Sequence, residues 1–473
     1  MIRHAYNTVS RASKHVIERL ESRVLMAAGA LDTSFSGDGK ATLEFSSDIV
    51  LAAADVAVQA DGKTVIVGKD TDTRFGGFIN DFAVARLNLD GTPDVTFGTG
   101  GRGVVRTIVG SGGRASANCV AIQPDGKILV AGVAGATFPD VQFAVVRYLP
   151  NGSLDTSFDG DGTRLVNFRG SVLDIVVQND GKIVLVGGTL DASLGGTTRD
   201  FAIARLNPDG KLDGTFDDDG KKQVGFGGDD QAEAVAIDSN GRIVVVGGSG
   251  SKFALTRLNP DGDRDGTFNQ TGEVLTTVPG RANAKALGVI IQSSGRIVVA
   301  GTADGQFVRA RYLPDGRIDQ TFGGLAGAGF GITDFGGLDE AHDLIQSADG
   351  GLIVAGRSNG KFALAAFTAD GLPNSSFGTG GKVVTEVGSG DILSVALAKG
   401  PGRRFVVAGG TTQFKTARYL DAGANVVAVS ALDRNALEGT GDNGSLLVGR
   451  VERLPTATRV FFNVGGTAVR PFG

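Results

Sequence analysis

Few residues in this chain have the type and spacing that catalysis needs. The histidines are His4, His15 and His342. They are too scattered in sequence to suggest a His-based catalytic or metal centre, and His342 reads as a strand residue. The single cysteine, Cys119, lies in an apolar run, where a thiol is expected to be buried and inert. Asp159-Gly160-Asp161-Gly162 and Asp217-Asp218-Asp219-Gly220 could offer oxygen ligands to Ca²⁺. Neither carries the bidentate Glu of an EF-hand loop, and Asp-Gly is itself a turn signal, so both read as turns. Gly98-x-Gly100-x-x-Gly103 matches the dinucleotide-binding string but opens no helix, and related glycines at Gly378, Gly380 and Gly381 mark it as recurring turn chemistry. These readings predict no catalytic residue, no cofactor, and no metal outside the C-terminal segment discussed below. The chain is expected not to be an enzyme.

One charged pattern does recur. Arg86, Arg147, Arg205, Arg257 and Arg311 are each followed eight residues later by an aspartate: Asp94, Asp155, Asp213, Asp265 and Asp319. The sixth equivalent of the arginine is Ala366, and eight residues on stands Asn374. Removing one partner of a buried ion pair costs about 3–5 kcal/mol, whereas an exposed pair contributes about 0–1 kcal/mol. Joint loss of both charges therefore predicts a buried structural pair. Two residues are left over: Arg418 has Val426 eight residues on, and Asp32 has no arginine eight residues before it. A ring would bring Arg418 and Asp32 together.

The elements that carry this pattern are strands. In Val120–Phe158, the runs Ile128-Leu129-Val130 and Phe143-Ala144-Val145-Val146 are rich in β-branched and aromatic residues. Asp125-Gly126 and Asn151-Gly152 between them favour tight hairpins, and no sustained helical spacing is present. The unit recurs: its closing Phe returns at Phe35, Phe97, Phe158, Phe216, Phe268, Phe322 and Phe377, with separations of 52 to 62 residues. About four strands per period is the pattern of propeller blades or of a β-solenoid. The Gln-x-Asp-Gly-Lys hairpin and the Leu-Asp-x-Ser-Phe tag resemble the delta-60 repeat family over about residues 31–420. That resemblance implies a β-propeller and little about function. The expectation is an all-β, seven-bladed propeller of four-stranded blades over residues 30–424, with Ala41–Phe45 as the fourth strand of the last blade. Such closure would remove an exposed sheet edge.

The two ends differ from the repeats. Residues 1–29 are basic, with Arg3, Arg11, Lys14, Arg19 and Arg23. Arg19-Leu20-Glu21-Ser22-Arg23-Val24-Leu25-Met26-Ala27 resembles a sorting tag of planctomycete exported and surface proteins, with Ser22 in place of the usual Pro. The resemblance implies an extracellular or cell-surface location. Residues 425–473 break the period. Ala436-Leu437-Glu438-Gly439, Gly444–Arg450 and Val460–Val464 with Gly465-Gly466-Thr467-Ala468 resemble the first half of a Calx-beta module, an all-β extracellular sandwich that often binds calcium. The chain stops where that family would continue, and Glu438 would be its matching acidic position.

Composition narrows the function. Lys+Arg 46 against Asp+Glu 51 gives a net charge of -5, which argues against a nucleic-acid partner. No apolar run approaches the roughly 18–20 residues of a membrane span. The connections Gly68–Phe82, Gly132–Phe143 and Gly187–Phe201 are long, while the four that follow are short. The long ones carry Phe75, Phe78 and Phe138, and loops on a rigid scaffold are where binding residues concentrate. A monomeric, non-enzymatic scaffold that binds other proteins or surface polysaccharide is expected. The competing reading is a carbohydrate-binding, hydrolase or lyase propeller with a central-channel site. The apolar inner-strand runs Val56–Val58, Val120–Ile122 and Val235–Ile237 count against it.

Overall fold

A computed structural model describes residues 28–43, 49–72, 79–110, 113–135, 141–190, 198–324, 328–389, 391–392, 395–421, 428–431 and 446–449. The chain divides into two compact units, one of residues 27–425 and one of residues 1–26 with 426–473. In the smaller unit, two strands, Ala428–Ala431 and Leu446–Gly449, pair antiparallel. In the larger unit the described residues form strands and turns without an α-helix.

Its first strand, β1 (Lys40–Leu43), belongs to its last sheet. Unit one comprises β2 (Ile49–Val58), β3 (Thr64–Asp72), β4 (Ile79–Leu87) and β5 (Val104–Thr107). Unit two comprises β6 (Arg114–Ile122), β7 (Ile128–Gly135), β8 (Gln142–Tyr148) and the start of β9 (Thr163–Val177). The far end of β9 opens unit three, with β10 (Ile183–Leu190), β11 (Arg199–Leu206) and β12 (Lys221–Val224). Unit four is β13 (Asp230–Ile237), β14 (Ile243–Ser249), β15 (Lys252–Leu258) and β16 (Glu273–Thr276). Unit five is β17 (Lys285–Ile291), β18 (Ile297–Ala303), β19 (Gln306–Tyr312) and β20 (Phe330–Thr333). Unit six is β21 (Asp339–Gln346), β22 (Leu352–Ser358), β23 (Lys361–Phe367) and β24 (Lys382–Thr385). The last sheet holds β25 (Val395–Gly400), β26 (Arg404–Gly409) and β27 (Phe414–Leu420), and β1 pairs with β27 from Lys40↔Ala417 to Leu43↔Phe414.

The cores lie between units. Val67 and Phe82 of unit one pack with Val120 and Val130 of unit two, and similar clusters join each later unit to the next. A further cluster joins Leu51, Val56 and Ile66 of unit one to Ala396, Val406 and Phe414 of the last sheet. Each sheet is thus apolar on both faces, which is why its middle strands read as continuous apolar runs and not as alternation. Two-residue turns with positive φ at both positions, such as Asp304-Gly305 (φ 49 and 70) and Asn359-Gly360 (φ 48 and 74), make the short connections.

Candidate functional site

Three groups of polar residues stand out on this scaffold: the seams between units, a central cavity and a trough on one face. The seams hold the recurring arginine and aspartate. Each Arg Nε lies 2.7 to 2.9 Å from its Asp Oδ2, including Arg418 with Asp32. Both partners are buried in every pair. The guanidinium also stacks on the closing Phe at 4.5 to 4.8 Å and reaches a backbone carbonyl of the next unit, as Arg147 does with Pro208 and Arg418 with Leu89. The aspartate's other oxygen accepts from a Ser or Thr two residues on: Asp155 Oδ1 takes the Ser157 N–H and hydroxyl. Burial pushes Asp155 up, but the Ser157 hydrogen bonds and the charges of Arg147 and Lys127 outweigh it and hold it at about 2.

A second cation completes each seam. Lys63, Lys127, Lys182, Arg242, Arg296 and Arg404 lie 2.6 to 3.3 Å from the same aspartates. In unit six all three charges are absent: Ala366, Asn374 and Gly351 occupy the positions. Asn374 Oδ1 still accepts from Ser376, so the turn cap survives while the charge does not. The cation that follows the turn glycine, directly in five units and after Arg403 in the last, was a repeated signal in the sequence whose pairing with the aspartate a reading of the hairpin as a turn missed.

The central cavity corrects one expectation. It measures about 340 Å³, and every unit's first strand contributes to its wall. The apolar runs do not line it: Val56, Val120 and Val235 are buried in the cores between units. The wall instead carries Asp55, Asn118, Asp174, Glu233, His342 and Asp343. The physical reason is a β-bulge. Register shifts at Ala53/Asp55, Ala117/Cys119 and Ala341/Asp343, with matching ones in β9, β13 and β17, insert one residue and re-aim its neighbours inward. Each bulge needs a glycine opposite: at Gly132 a Cβ would sit 1.9 Å from the Ser116 carbonyl oxygen. That recurring glycine was the available signal.

Asp55 Oδ1 accepts from its own Val56 N–H, and Oδ2 from Val120 N–H in the next unit, both at 2.7 Å. Asp174 spans to Val235 and Asp343 to Leu397 in the same way. Burial pushes Asp55 up to about 6 and Asp174 up to about 7, and raises Asp343 well above the usual carboxylate range. His342 Nε2 lies 3.6 Å from Glu340. Each of the three aspartates is committed to two backbone N–H groups, so they act as staples between inner strands. No group of three or more His, Cys, Asp or Glu side chains among the described residues could hold a metal ion.

Other sequence-singled residues fall where turns and cores need them. Cys119 is buried with Sγ 3.6 Å from the Ala131 carbonyl, and burial raises its thiol. Asp159, Asp217 and Asp218 have positive φ, and Asp161 and Asp219 accept the backbone N–H two residues on. Gly98 and Gly103 are positive-φ turn residues. Phe75, Phe78, Phe138 and Glu438 lie outside the described residues.

A trough of about 590 Å³ lies where the three long connections leave β3, β7 and β10. Its wall draws on units one to four, with Lys69, Arg114 and Arg199 as its cations and Asp229 as its carboxylate. Arg199 is held by Asp229 at 2.8 Å and donates to Gln231. A smaller hollow of about 260 Å³ shares Arg199, Asp229 and Gln231 and runs on to Lys285. The two therefore form one continuous depression. None of these cations stood out in the sequence, because they meet only through the stacking of units.

Repeated four-stranded antiparallel sheets with cores between them define an all-β repeat protein of the propeller kind. Five segments, residues 59–97, 123–158, 178–216, 239–268 and 292–322, match a family described as a domain of unknown function (DUF5122), beta-propeller. No curated protein matches the chain in sequence. Among solved structures, virginiamycin B lyase from Staphylococcus aureus is similar over 80% of this chain and 98% of its own, at 13% identity and a TM-score of 0.50. A protein of unknown function from Dyadobacter fermentans covers 81% and 98% at 13% identity and 0.42. YCF48 from Cyanidioschyzon merolae covers 80% and 98% at 12% identity and 0.42. At such identity the likeness to the lyase is one of fold alone. No helix among the described residues is long and apolar enough to cross a membrane, which does not bear on crossing by strands.

Proposed function

We propose that the chain is a closed seven-bladed β-propeller, exported to the cell surface, that binds another macromolecule without catalysing a reaction. Ring closure is supported by the pairing of β1 with β27, the Asp32–Arg418 bridge and the core shared by Leu51 and Val406. Export rests on the resemblance of residues 19–27 to a sorting tag. The C-terminal segment is read as Calx-beta-like, an accessory contact with Glu438 as its acidic position.

The observation that carries the binding role is the trough lined by Lys69, Arg114 and Arg199 near the ends of β3, β7 and β10. A cleft built by four neighbouring units, which runs on into the hollow that reaches Lys285, suits a ligand longer than the roughly 590 Å³ trough alone would hold. The test is capture from an envelope fraction by the intact protein and by a variant lacking residues 73–78. The reading expects the intact protein to retain a partner and the variant to lose it with an unchanged melting temperature. Equal capture by both would remove the basis of this assignment. The channel reading has less support, because Asp55, Asp174 and Asp343 there already accept backbone N–H groups and Glu233 is paired with Lys285.

A further inference from the structure

We infer that the trough is a binding site for an acidic polysaccharide, a chain of uronate sugars. This rests on the reading of the loop-bearing face as a binding surface and names its ligand. Three observations converge. First, the charged residues among the described lining of the joined depression are four cations (Lys69, Arg114, Arg199 and Lys285) and one carboxylate, Asp229; Lys285 pairs with Glu233 behind the wall and Arg199 with Asp229, which leaves Lys69 and Arg114 as its excess positive charge. The chain as a whole carries a net charge of -5, so this surface runs against the sign of the molecule. Second, the cations come from β3, β6, β11 and β17 of units one, two, three and five, while unit four supplies Asp229 and Gln231, so the lining is spread over five successive units. A polymer with a repeating negative charge meets such a spread, whereas a compact anion would occupy one step of it.

Third, beside the apolar Ala115, Val133 and Val141, the neutral lining is amide, hydroxyl and glycine. Asn80, Ser116, Ser171 and Gln231 in the larger part, and Ser249 and Asn283 in the smaller, can each donate and accept, which matches sugar hydroxyls. Gly188 and Gly248 leave the floor flat, and the stems of Arg199 and Lys285 lie across them. The described lining holds no aromatic anchor of the kind that fixes a protein partner. Arg199 is already set by Asp229 and Gln231, so it presents its charge without reorganising.

The test uses the full chain and polygalacturonate, with neutral dextran and poly-glutamate as comparison polymers, read by calorimetry at two salt concentrations. The expected result is polygalacturonate binding that weakens as salt rises, and no dextran binding. The double variant Lys69→Glu, Arg114→Glu should bind at least about tenfold more weakly while melting as the parent does. Lys211→Glu, at a hairpin turn at the opposite end of β11, should bind as the parent does. Polygalacturonate binding that survives the double variant, or that is lost equally in Lys211→Glu, would overturn the inference. Tighter binding of poly-glutamate would overturn it in favour of an acidic protein. If the loop deletion abolishes envelope capture while no polymer binds, this inference fails and the broader binding role stands.

Discussion

The seam of unit six suggests a quantitative experiment on unit two. Arg147→Ala removes the 2.8 Å contact to Asp155, the hydrogen bond to the Pro208 carbonyl and the stack on Phe158. Breaking a buried pair costs about 3–5 kcal/mol. Lys127, 3.3 Å from Asp155, stays behind and offsets part of that, so about 3 kcal/mol is expected. Asp155→Asn keeps the Ser157 cap but strands the guanidinium, at about 2–3 kcal/mol. The double variant reproduces two of the three differences in unit six, Ala366 and Asn374, while Lys127 stays where unit six has Gly351. Its cost should fall short of the sum of the singles by about 1–2 kcal/mol. Urea unfolding of the full chain followed by far-UV circular dichroism measures all four corners of the cycle. A coupling energy below about 0.5 kcal/mol would mean that the pair is not an energetic unit and that the joint loss in unit six needs another cause.

Three further outcomes follow from the same structure. Asp155 is lowered in the folded state to about 2, so its contribution is present above the ordinary carboxylate range and is lost as pH falls towards 2. Asp55 and Asp174 are raised to about 6 and about 7, so the folded chain holds protons there that the unfolded chain releases, and stability falls as pH rises from about 4 to 7. Thermal melts should therefore peak near pH 4, and Asp174→Asn should flatten the upper limb; a melting temperature that climbs steadily from pH 4 to 8 would contradict this. Gly132→Ala, forced against the Ser116 carbonyl, should cost about 3 kcal/mol or more in a denaturant melt, while Gly100→Ala, with open space around it, should be neutral. Removing residues 1–43 should expose the β27 edge and leave Arg404 and Arg418 without Asp32; light scattering should then report more aggregation than the intact chain shows.

Local signals in the sequence reach far into this fold. Asp-Gly and Asn-Gly turns, β-branched runs and the returning Phe mark the hairpins because turn chemistry acts within a few residues. The eight-residue Arg–Asp spacing is also local, joining β8 to the turn that follows it, and the two leftover charges, Arg418 and Asp32, lie 2.9 Å apart. The cavity wall was hidden because a bulge shifts the alternation by one, which turns Asp55 and Asp174 inward where simple counting places valines. Lys69, Arg114 and Arg199 were invisible for a different reason. They belong to separate repeats, and no periodicity within one unit encodes which surfaces neighbouring units bring together.

The strand made by Lys40–Leu43 has a consequence for how the protein is born. A ribosome releases this ribbon early, yet its partner Phe414–Leu420 emerges some hundreds of residues later. Until then the first segment has nowhere to dock, and the final sheet cannot be completed without it. Intermediate sheets can assemble as they appear, but the last sheet gains its fourth strand only once Phe414–Leu420 has been made, so its completion is reserved for the end of synthesis.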